Sequence, residues 1–277
     1  MTRGLPTDTR TDVALLDGDP LGVAGRRVLV TGASRGIGFA IAQEMASKGA
    51  VVAIGARGAP QLESAAARLR AQGAEVFAAA VDVTSPASVT RFVGEAAAAM
   101  GGLDFVVANA GGSSGGDLTG STNGDWIDTF NLNVGHAVGL LRSARPHLRE
   151  SGHGAAVLIS SISGSKPAPH GQYGAAKAAL NYVAAALARE LAGDGIRVNS
   201  VSPGSILFPG GGWDRYRKRD PAGFQEFIRH DLPAGRLGTA AEVARVVAFV
   251  LSPLASWVNG ANIPVDGAQG RPGASGW

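Results

Sequence analysis

A tyrosine and a lysine four positions apart form the pattern in this sequence that most directly indicates chemistry. Tyr173 and Lys177 lie in an alanine-rich segment, and this spacing places both side chains on one face of a helix. A phenol with a pKa of about 10 is a poor acid or base at neutral pH. A cation held close to it favours the phenolate and lowers that pKa. The pair could therefore give a proton to an alkoxide or take one from an alcohol. By itself, the same pattern also describes a buried tyrosine followed by an exposed lysine.

Three serines precede this pair in a short polar turn. Ser160, Ser161 and Ser163 follow an apolar run that predicts a strand. A hydroxyl at the carboxyl end of a strand lies where open α/β sheets bind their ligands. One of these hydroxyls could orient a substrate oxygen, whereas others could cap the loop.

A glycine-rich segment, TGASRGIG at residues 31–38, follows the first predicted strand. Its glycines allow a tight turn and a close approach to a pyrophosphate, and the next helix presents its N–H groups and positive dipole end. Turn glycines also occur without any ligand. This segment lies at the first strand-to-helix turn, where dinucleotide folds place their phosphates.

The end of the second predicted strand indicates which nicotinamide dinucleotide would bind. An acidic residue at this position binds the ribose hydroxyls of NAD, whereas an arginine accommodates the 2′-phosphate of NADP. Here Ala56 and Arg57 follow the strand, and Arg35 lies inside the glycine loop. Two guanidinium groups can bind a phosphate dianion. The sequence therefore predicts NADP(H), the alternative being that both arginines are solvated surface charges.

The elements around these residues alternate between strands and helices. Apolar runs predict strands at 27–31, 51–54, 75–81, 103–108, 155–160, 196–201 and 261–265. Helical spacing predicts helices at 36–48, 60–72, 86–100, 125–149, 172–192 and 239–251. Runs of this kind predict parallel strands covered on both faces. We expect one α/β domain of the Rossmann type, with a doubly wound parallel sheet of about seven strands.

Composition excludes several classes of protein. The 277 residues are 45% hydrophobic, which rules out overall disorder. There is no cysteine, so disulfides, thiolate metal sites and cysteine nucleophiles are excluded, and we expect no metal. A net charge of +3 without a clustered basic stripe does not favour nucleic acid. No apolar run is long enough to span a membrane, and the N-terminus resembles no signal peptide, so we expect a cytoplasmic protein.

Several motifs in order resemble the short-chain dehydrogenase/reductase family. They are the T-G-x-x-x-G-x-G loop, the N-A-G turn at 109–111, the Y-x-x-x-K pair and the N-x-V-x-P-G segment at 199–204. The resemblance covers residues 22 to 270. It implies hydride transfer between NADP(H) and a ketone or secondary alcohol, and the commonest relative is a 3-oxoacyl-[acyl-carrier-protein] reductase. It also implies a homo-oligomer, either a tetramer or a dimer.

The same resemblance implies the roles of four residues. Tyr173 is the general acid/base, Lys177 lowers its pKa and binds the nicotinamide ribose, and Ser161 orients the substrate oxygen. Asn133, which the family frame selects over Asn131, supports a proton relay. The sequence departs from the family pattern at His136 and Ala268, where glycine is usual. His136 is either a ligand contact or a packed or solvated helix histidine.

The resemblance also implies the cofactor contacts. They include acidic and Asn-Gly turns after the third and fourth strands and the proline-glycine turn after the sixth. The full set is Gly32, Ser34, Arg35, Gly36, Ile37, Gly38, Arg57, Asp82, Val83, Asn109, Ala110, Gly111, Tyr173, Lys177, Pro203, Gly204 and Ile206.

We divide the chain into a flexible leader (1–21), the oxidoreductase domain (22–270) and a tail (271–277). Within the domain, residues 204–238 predict a substrate lid, because long segments of this kind are usually functional. The lid is rich in aromatic residues, which predicts an apolar pocket under a helical flap. Its basic residues 215–219 form either a collar for an anionic carrier or CoA thioester, or one solvated helix face.

The alternative to an enzyme is an NADP(H)-binding regulator or sensor of the same fold with little turnover. A regulator would not need all four of Asn133, Ser161, Tyr173 and Lys177, so the sequence favours the enzyme.

Overall fold

The computed structural model describes residues 19–273, which form a parallel seven-stranded sheet and a separate two-stranded one. The strands are β1 (Arg27–Thr31), β2 (Val51–Ala56), β3 (Val76–Ala80), β4 (Phe105–Ala108), β5 (Ala155–Ile159), β6 (Arg197–Pro203), β7 (Ile206–Leu207), β8 (Gly238–Thr239) and β9 (Asn262–Val265). The large sheet has the order β3-β2-β1-β4-β5-β6-β9, and β7 pairs with β8. The predicted doubly wound parallel sheet is confirmed.

The helices cover both faces of this sheet. They are α1 (Gly36–Ser47), α2 (Ala59–Arg70), α3 (Pro86–Met100), α4 (Asn123–Phe130), α5 (His136–Ser151), α6 (Gly171–Leu191), α7 (Gly212–Arg219), α8 (Pro221–Asp231) and α9 (Ala240–Leu251). The single helix predicted at 125–149 is wrong in one respect, because a π-helical segment at Asn131–Gly135 separates α4 from α5.

Apolar side chains on alternate faces of the strands explain why the sheet is covered twice. Successive strand residues point to opposite faces. Val28 and Val30 of β1 join the core beneath α1 and α9, whereas Leu29 joins the core beneath α3 and α5. All three are fully buried. The sheet thus forms the middle layer between two hydrophobic cores.

The topology brings the predicted site residues to one edge of the sheet. β1 lies between β2 and β4, so the strand order reverses at this point and opens a crevice at the carboxyl ends. The Thr31 hydroxyl accepts from the backbone N–H groups of Asn109 (3.1 Å) and Ala110 (3.3 Å). These bonds fasten the end of β1 to the turn after β4.

Most of the predicted leader, residues 1–18, and residues 274–277 of the predicted tail lie outside the described part. Residues 19–21 of the predicted leader are described. There the Asp19 carboxylate accepts from the backbone N–H groups of Val23 (3.1 Å) and Ala24 (2.9 Å). The predicted leader, residues 1–21, therefore includes at its end a turn that is hydrogen-bonded to the start of the domain.

Candidate active site

A cavity of about 810 Å³ lies at the carboxyl ends of the strands. Its walls come from the glycine loop, the ends of β2, β4, β5 and β6, the start of α6 and the lid. Every predicted cofactor residue except Asp82 lines it, as do Ser161, Tyr173 and Lys177. Asn133 lies outside the lining. The structure thus brings residues from distant parts of the sequence to one cavity.

The glycine loop forms a concave surface, and a side chain at its glycine positions would collide with neighbouring atoms. A Cβ on Gly38 would lie 2.4 Å from Asn109 Nδ2 and 2.5 Å from the Gly32 carbonyl oxygen. Gly32 has φ of +65°, a conformation that favours glycine. The Asn109 amide donates to the carbonyl oxygens of Thr31 (2.9 Å) and Gly32 (3.1 Å), which holds the loop in place.

The start of α1 has the character of an anion site. Its N-cap residue, Arg35, makes no side-chain cap bond, and its first turn contains no acidic residue. The N–H groups and the positive dipole end of such a helix attract phosphates. Among the described residues that line the cavity there is no carboxylate, and the charged ones are Arg35, Arg57 and Lys177. This donor set fits an anionic dinucleotide.

Asp82 is exposed and does not reach the cavity, although Val81 and Val83 beside it do. Its carboxylate accepts from the Thr84 hydroxyl (2.7 Å) and backbone N–H (3.0 Å). The hydroxyl bond first, then the backbone bond, lower the pKa of Asp82. In the structure this carboxylate caps its own turn at the border of the cavity, and its contact with the cofactor stays a prediction.

Lys177 is buried and Tyr173 is half-buried beside it, with Lys177 Nζ 5.5 Å from the centre of the Tyr173 ring. Lys177 Nζ donates to the Ile159 carbonyl oxygen at 2.8 Å. Burial lowers the pKa of Lys177 to about 7. Burial also raises the pKa of Tyr173, and a hydrogen bond with Ser161 opposes that rise. The Ser161 hydrogen bond thus lowers the Tyr173 pKa, and the effect of the Lys177 charge on that pKa stays a prediction.

The three candidate serines occupy different positions. Ser161 lines the cavity, and its hydroxyl accepts from the Ser163 backbone N–H at 3.1 Å. Ser160 also touches the cavity, but its hydroxyl donates to the Lys177 carbonyl oxygen at 3.1 Å. Ser163 is absent from the described lining. Of the three serines, Ser161 is the one whose side chain forms a hydrogen bond with Tyr173.

Asn133 lies in the π-helical segment and is buried, whereas Asn131 is exposed. Its amide nitrogen donates to the carbonyl oxygens of Thr129 and Gly112, both at 2.7 Å. A Cβ on Gly111 would lie 2.6 Å from Asn133 Oδ1 and 3.2 Å from Lys177 Nζ. The π-helical turn thus places Asn133 directly beneath the Gly111–Gly112 backbone and next to Lys177. Turns of this kind are frequent at functional sites.

His136 is a packed histidine rather than a cavity contact, and its side chain is buried. Nδ1 lies 3.1 Å from the Ala110 carbonyl oxygen and donates to it, which leaves Nε2 without a partner among the described residues. Burial, opposed by the Ala110 bond and assisted by the Lys177 charge, lowers the pKa of His136 to about 4. A neutral imidazole therefore supports the turn after β4.

Gln172 and His170, next to Tyr173 in the sequence, hold the loop after β4. The Gln172 amide donates to the carbonyl oxygens of Ser114 (2.8 Å) and Gly116 (3.1 Å). His170 Nδ1 lies 3.1 Å from the same Gly116 oxygen. No sequence pattern indicates this role for Gln172 other than its position before the tyrosine.

The lid differs from its prediction. Most of its aromatic side chains, Trp213, Tyr216, Phe224 and Phe227, are buried against one another, with Trp213 and Phe227 stacked 4.5 Å apart. Only Phe208 and Trp213 of the described lid aromatics line the cavity. The Phe208 ring lies against Gly36, where a Cβ would be 2.8 Å away. The aromatic residues mainly build the core of the lid itself.

The basic residues of the lid are engaged within it. Asp214 binds Arg217 (2.9 Å) and Lys218 (2.8 Å). Arg215 donates to the Gly210 carbonyl oxygen at 2.7 Å, and the Arg219 guanidinium lies 5.4 Å from the centre of the Tyr216 ring. These contacts favour the interpretation of residues 215–219 as a solvated helix face over their interpretation as a binding site for an anionic carrier.

Within residues 19–273 no cluster of His, Asp or Glu could hold a metal ion, and no helix there has both the length and the apolarity to cross a membrane.

Comparisons with known proteins place these features in context. A family model described as enoyl-(acyl carrier protein) reductase matches residues 32–268. An isoepoxydon dehydrogenase of Penicillium expansum is 35% identical over 251 residues, covering 89% of this chain and 95% of that protein. A 3-oxoacyl-[acyl-carrier-protein] reductase of Pseudomonas aeruginosa is 36% identical over 251 residues, with coverage of 90% and 99%. The solved structure of L-sorbose reductase from Gluconobacter frateurii with NADPH and L-sorbose is 32% identical, covers 90% and 98%, and has a TM-score of 0.85.

Proposed function

Because this chain belongs to the short-chain dehydrogenase/reductase family of oxidoreductases, we propose that it transfers a hydride between NADP(H) and a ketone or secondary alcohol. The observation that carries the proposal is the convergence of Ser161, Tyr173 and Lys177 on the cavity that the glycine loop also lines. That cavity has room for a dinucleotide and positive charge to attract its phosphates.

NADP(H) is proposed over NAD(H) because of the charges at the adenosine end. Arg57 and Arg35 line the cavity there, and Ala56 stands where a carboxylate would bind ribose hydroxyls. Arg35 Nη1 also donates to the Gly210 carbonyl oxygen at 3.1 Å. Arg35 would thus join the phosphate site to the lid at Gly210. The NADPH bound in the L-sorbose reductase structure supports the same choice.

The proposed chemistry follows from the positions of three side chains. When bound, the nicotinamide supplies the hydride for reduction or accepts it for oxidation. Ser161 holds the substrate oxygen by a hydrogen bond. The Tyr173 hydroxyl gives its proton to that oxygen during reduction, or takes the alcohol proton during oxidation. After reduction, Lys177 gives a proton to Tyr173, and Asn133, whose Oδ1 lies near Gly111 as Lys177 Nζ does, supports this relay.

The two shifted pKa values favour proton donation by this site. A raised pKa keeps Tyr173 protonated at neutral pH, and a Lys177 pKa of about 7 makes that amine a proton donor close by. We therefore propose that the rate of carbonyl reduction falls as the pH rises above about 7, because Lys177 then loses its proton. A pH profile of kcat for carbonyl reduction tests it, and a rate that stays constant as the pH rises would contradict it.

For the substrate, we propose a small carbonyl compound. Phe208 and Trp213 supply apolar surface from the lid, while Ser161 and Tyr173 supply the polar end of the pocket. A 3-oxoacyl thioester is a narrower candidate, favoured by the relative from Pseudomonas aeruginosa. A panel of ketones, ketoses and a 3-oxoacyl-CoA, compared by kcat/KM with NADPH, distinguishes them.

The second candidate is an NADP(H)-binding sensor with little turnover. It shares the cofactor site, so binding of NADPH does not separate the two. Turnover does, because an enzyme oxidises NADPH with at least one carbonyl of the panel, and Tyr173→Phe abolishes that activity. A protein that binds NADPH but reduces no carbonyl would be the sensor.

We also propose that the protein forms a homo-oligomer. Several large apolar side chains are exposed in the described part of the chain, among them Trp257 (97% exposed), Tyr182 (78%) and Leu254 (44%). Exposed apolar surface of this kind commonly marks contacts between chains. Light scattering tests this, and the mass of a monomer would contradict it. A cytoplasmic location stays a prediction from the sequence.

A further inference from the structure

Ser205 is the residue at which the lid leaves the sheet, and a glutamine near the C-terminus fixes it. Gln269 Oε1 accepts from the Ser205 backbone N–H at 2.7 Å, and Gln269 Nε2 donates to the Ser205 hydroxyl at 2.9 Å. The Ser205 carbonyl oxygen accepts from the Gly238 N–H at 3.0 Å, at the other end of the lid. Both Ser205 and Gln269 are buried, at 4% and 1% exposure.

This contact lies directly behind the wall of the cavity. Gly204 and Ile206, on either side of Ser205, both line the cavity. A Cβ on Gly204 would lie 2.7 Å from Gln269 Oε1 and 2.8 Å from Asp266 Cβ. Gly204 therefore has no room for a side chain, and Gln269 and Asp266 pack directly against its backbone.

The same C-terminal residues also contact the loop that carries Ser161. Lys166 Nζ donates to Asp266 Oδ2 at 2.9 Å and to the Gln269 carbonyl oxygen. The Lys166 backbone N–H donates to the Ile162 carbonyl oxygen at 2.8 Å, and Ile162 directly follows Ser161. Residues 266–269, which we name the C-terminal brace, thus connect the loop that carries Ser161 to the root of the lid.

The backbone of the C-terminal brace is held in an unusual conformation. Gly267 and Ala268 have φ of +58° and +61°. Residues with a side chain rarely adopt this conformation, and it persists where the surroundings impose it. Here the Asp266 carboxylate accepts from the Ala268 N–H at 3.1 Å. The strained turn presents the Gln269 side chain to Ser205.

We propose that Gln269 is a positioning residue, which sets the Gly204–Ile206 wall and the root of the lid relative to Ser161. Its catalytic meaning rests on the proposed function, whereas its structural effect does not. No group at the adenosine end of the cavity touches it among the described contacts. Loss of its bonds should therefore disturb the reacting end of the site and leave the adenosine end intact.

The experiment compares Gln269→Met with the wild-type protein. Methionine has a similar length but lacks both hydrogen-bonding groups. Hydrogen exchange by mass spectrometry should show the backbone amides of residues 204–207 exchanging about tenfold faster, as loss of one buried bond predicts. The affinity for adenosine 2′,5′-bisphosphate should stay within about twofold. For a carbonyl substrate, kcat/KM should fall on the order of tenfold, since small misplacements near the reacting atoms are costly.

Gln225→Met is the matched control, because Gln225 is exposed on α8 of the lid. It should change neither exchange nor turnover. If Gln269→Met fails to fold, Ser205→Ala serves instead, because it removes only the Oγ acceptor. It should give the same changes in amide exchange and kcat/KM, each smaller than those expected of Gln269→Met.

Two results would overturn the proposal. One is unchanged exchange at 204–207 in Gln269→Met. The other is a loss of bisphosphate affinity as large as the loss of turnover, which would show general loosening of the fold. If the wild-type protein reduces no carbonyl, the proposed function fails, while the exchange and affinity results still decide whether Gln269 sets the wall.

Discussion

Replacing His136 by asparagine should remove a pH-sensitive part of the stability of this protein. The buried imidazole donates from Nδ1 to the Ala110 carbonyl oxygen, and its pKa is lowered from 6.5 to about 4. An asparagine amide can donate to the same carbonyl but does not titrate. His136→Asn therefore keeps the contact with the turn after β4 while it removes the charge change.

The magnitude follows from the two pKa values. The unfolded chain binds a proton at pH 6.5, whereas the folded chain resists it until about pH 4, so the unfolded state binds more protons between these values. The free energy of unfolding therefore falls as the pH falls below 6.5. At pH 5 the loss through His136 is about 2 kcal/mol, and near pH 4 it reaches about 3 kcal/mol.

Urea unfolding at pH 7.5 and pH 5.0, followed by tryptophan fluorescence at equal protein concentration, measures this effect. Between these pH values, His136→Asn should lose about 2 kcal/mol less stability than the wild-type protein. His147→Asn, farther along the same helix, is the control for replacing an imidazole. Parallel losses in the wild type and His136→Asn would refute the reasoning.

Three further substitutions test other parts of the site. Tyr173→Phe should lower kcat at least about a thousandfold in a 340 nm assay and leave the affinity for NADPH nearly unchanged, and retention of a tenth of the activity would exclude Tyr173 as the acid. Gly38→Ala should lower NADPH affinity at least about tenfold, because its Cβ would meet Asn109 Nδ2 at 2.4 Å; an unchanged Kd in a fluorescence titration would speak against this role of the glycine loop. Ala268→Gly should raise the free energy of unfolding by about 1 kcal/mol, since φ there is +61°, and a lower urea midpoint would show that no strain is stored there.

The parallel sheet could be predicted because each strand is a short apolar run flanked by a helical pattern. β1 at Arg27–Thr31 and α3 at Pro86–Met100 have the predicted bounds. α3 begins at a Ser85 cap and ends at a left-handed glycine, Gly101, both of which are local signals. The π-helical segment at Asn131–Gly135 could not be predicted, because an inserted turn leaves the apolar spacing on either side unchanged.

The site residues that could be predicted are those that belong to a short local motif. The glycine loop and Ser161 each follow a strand, the Tyr173–Lys177 pair lies one turn apart on α6, and the structure places all of them on one cavity. Gln269 could not be found in this way, because its function depends on a contact with Ser205 across 64 positions.

The lid shows a different limit of sequence reasoning. Its aromatic composition is unusual and predicts an apolar pocket, but composition does not show which way a ring points. In the structure Trp213 stacks on Phe227 and builds a separate small core, so few aromatic rings reach the cavity. In the same way, Arg217 and Lys218 of the lid form ion pairs with Asp214, three and four positions before them. Composition alone does not distinguish such paired charges from free ones.

Affinity for the two reduced nicotinamide dinucleotides tests the central claim most directly. Titrations of the purified protein with NADPH and with NADH should give an affinity for NADPH that is at least about tenfold higher, because bonds to the charged 2′-phosphate are strong ones. Arg57→Asp should abolish this preference, while Arg245→Asp, an exposed arginine on α9, should retain it. Equal or tighter binding of NADH by the wild-type protein would contradict the NADP(H) assignment, and binding of neither would contradict the oxidoreductase proposal itself.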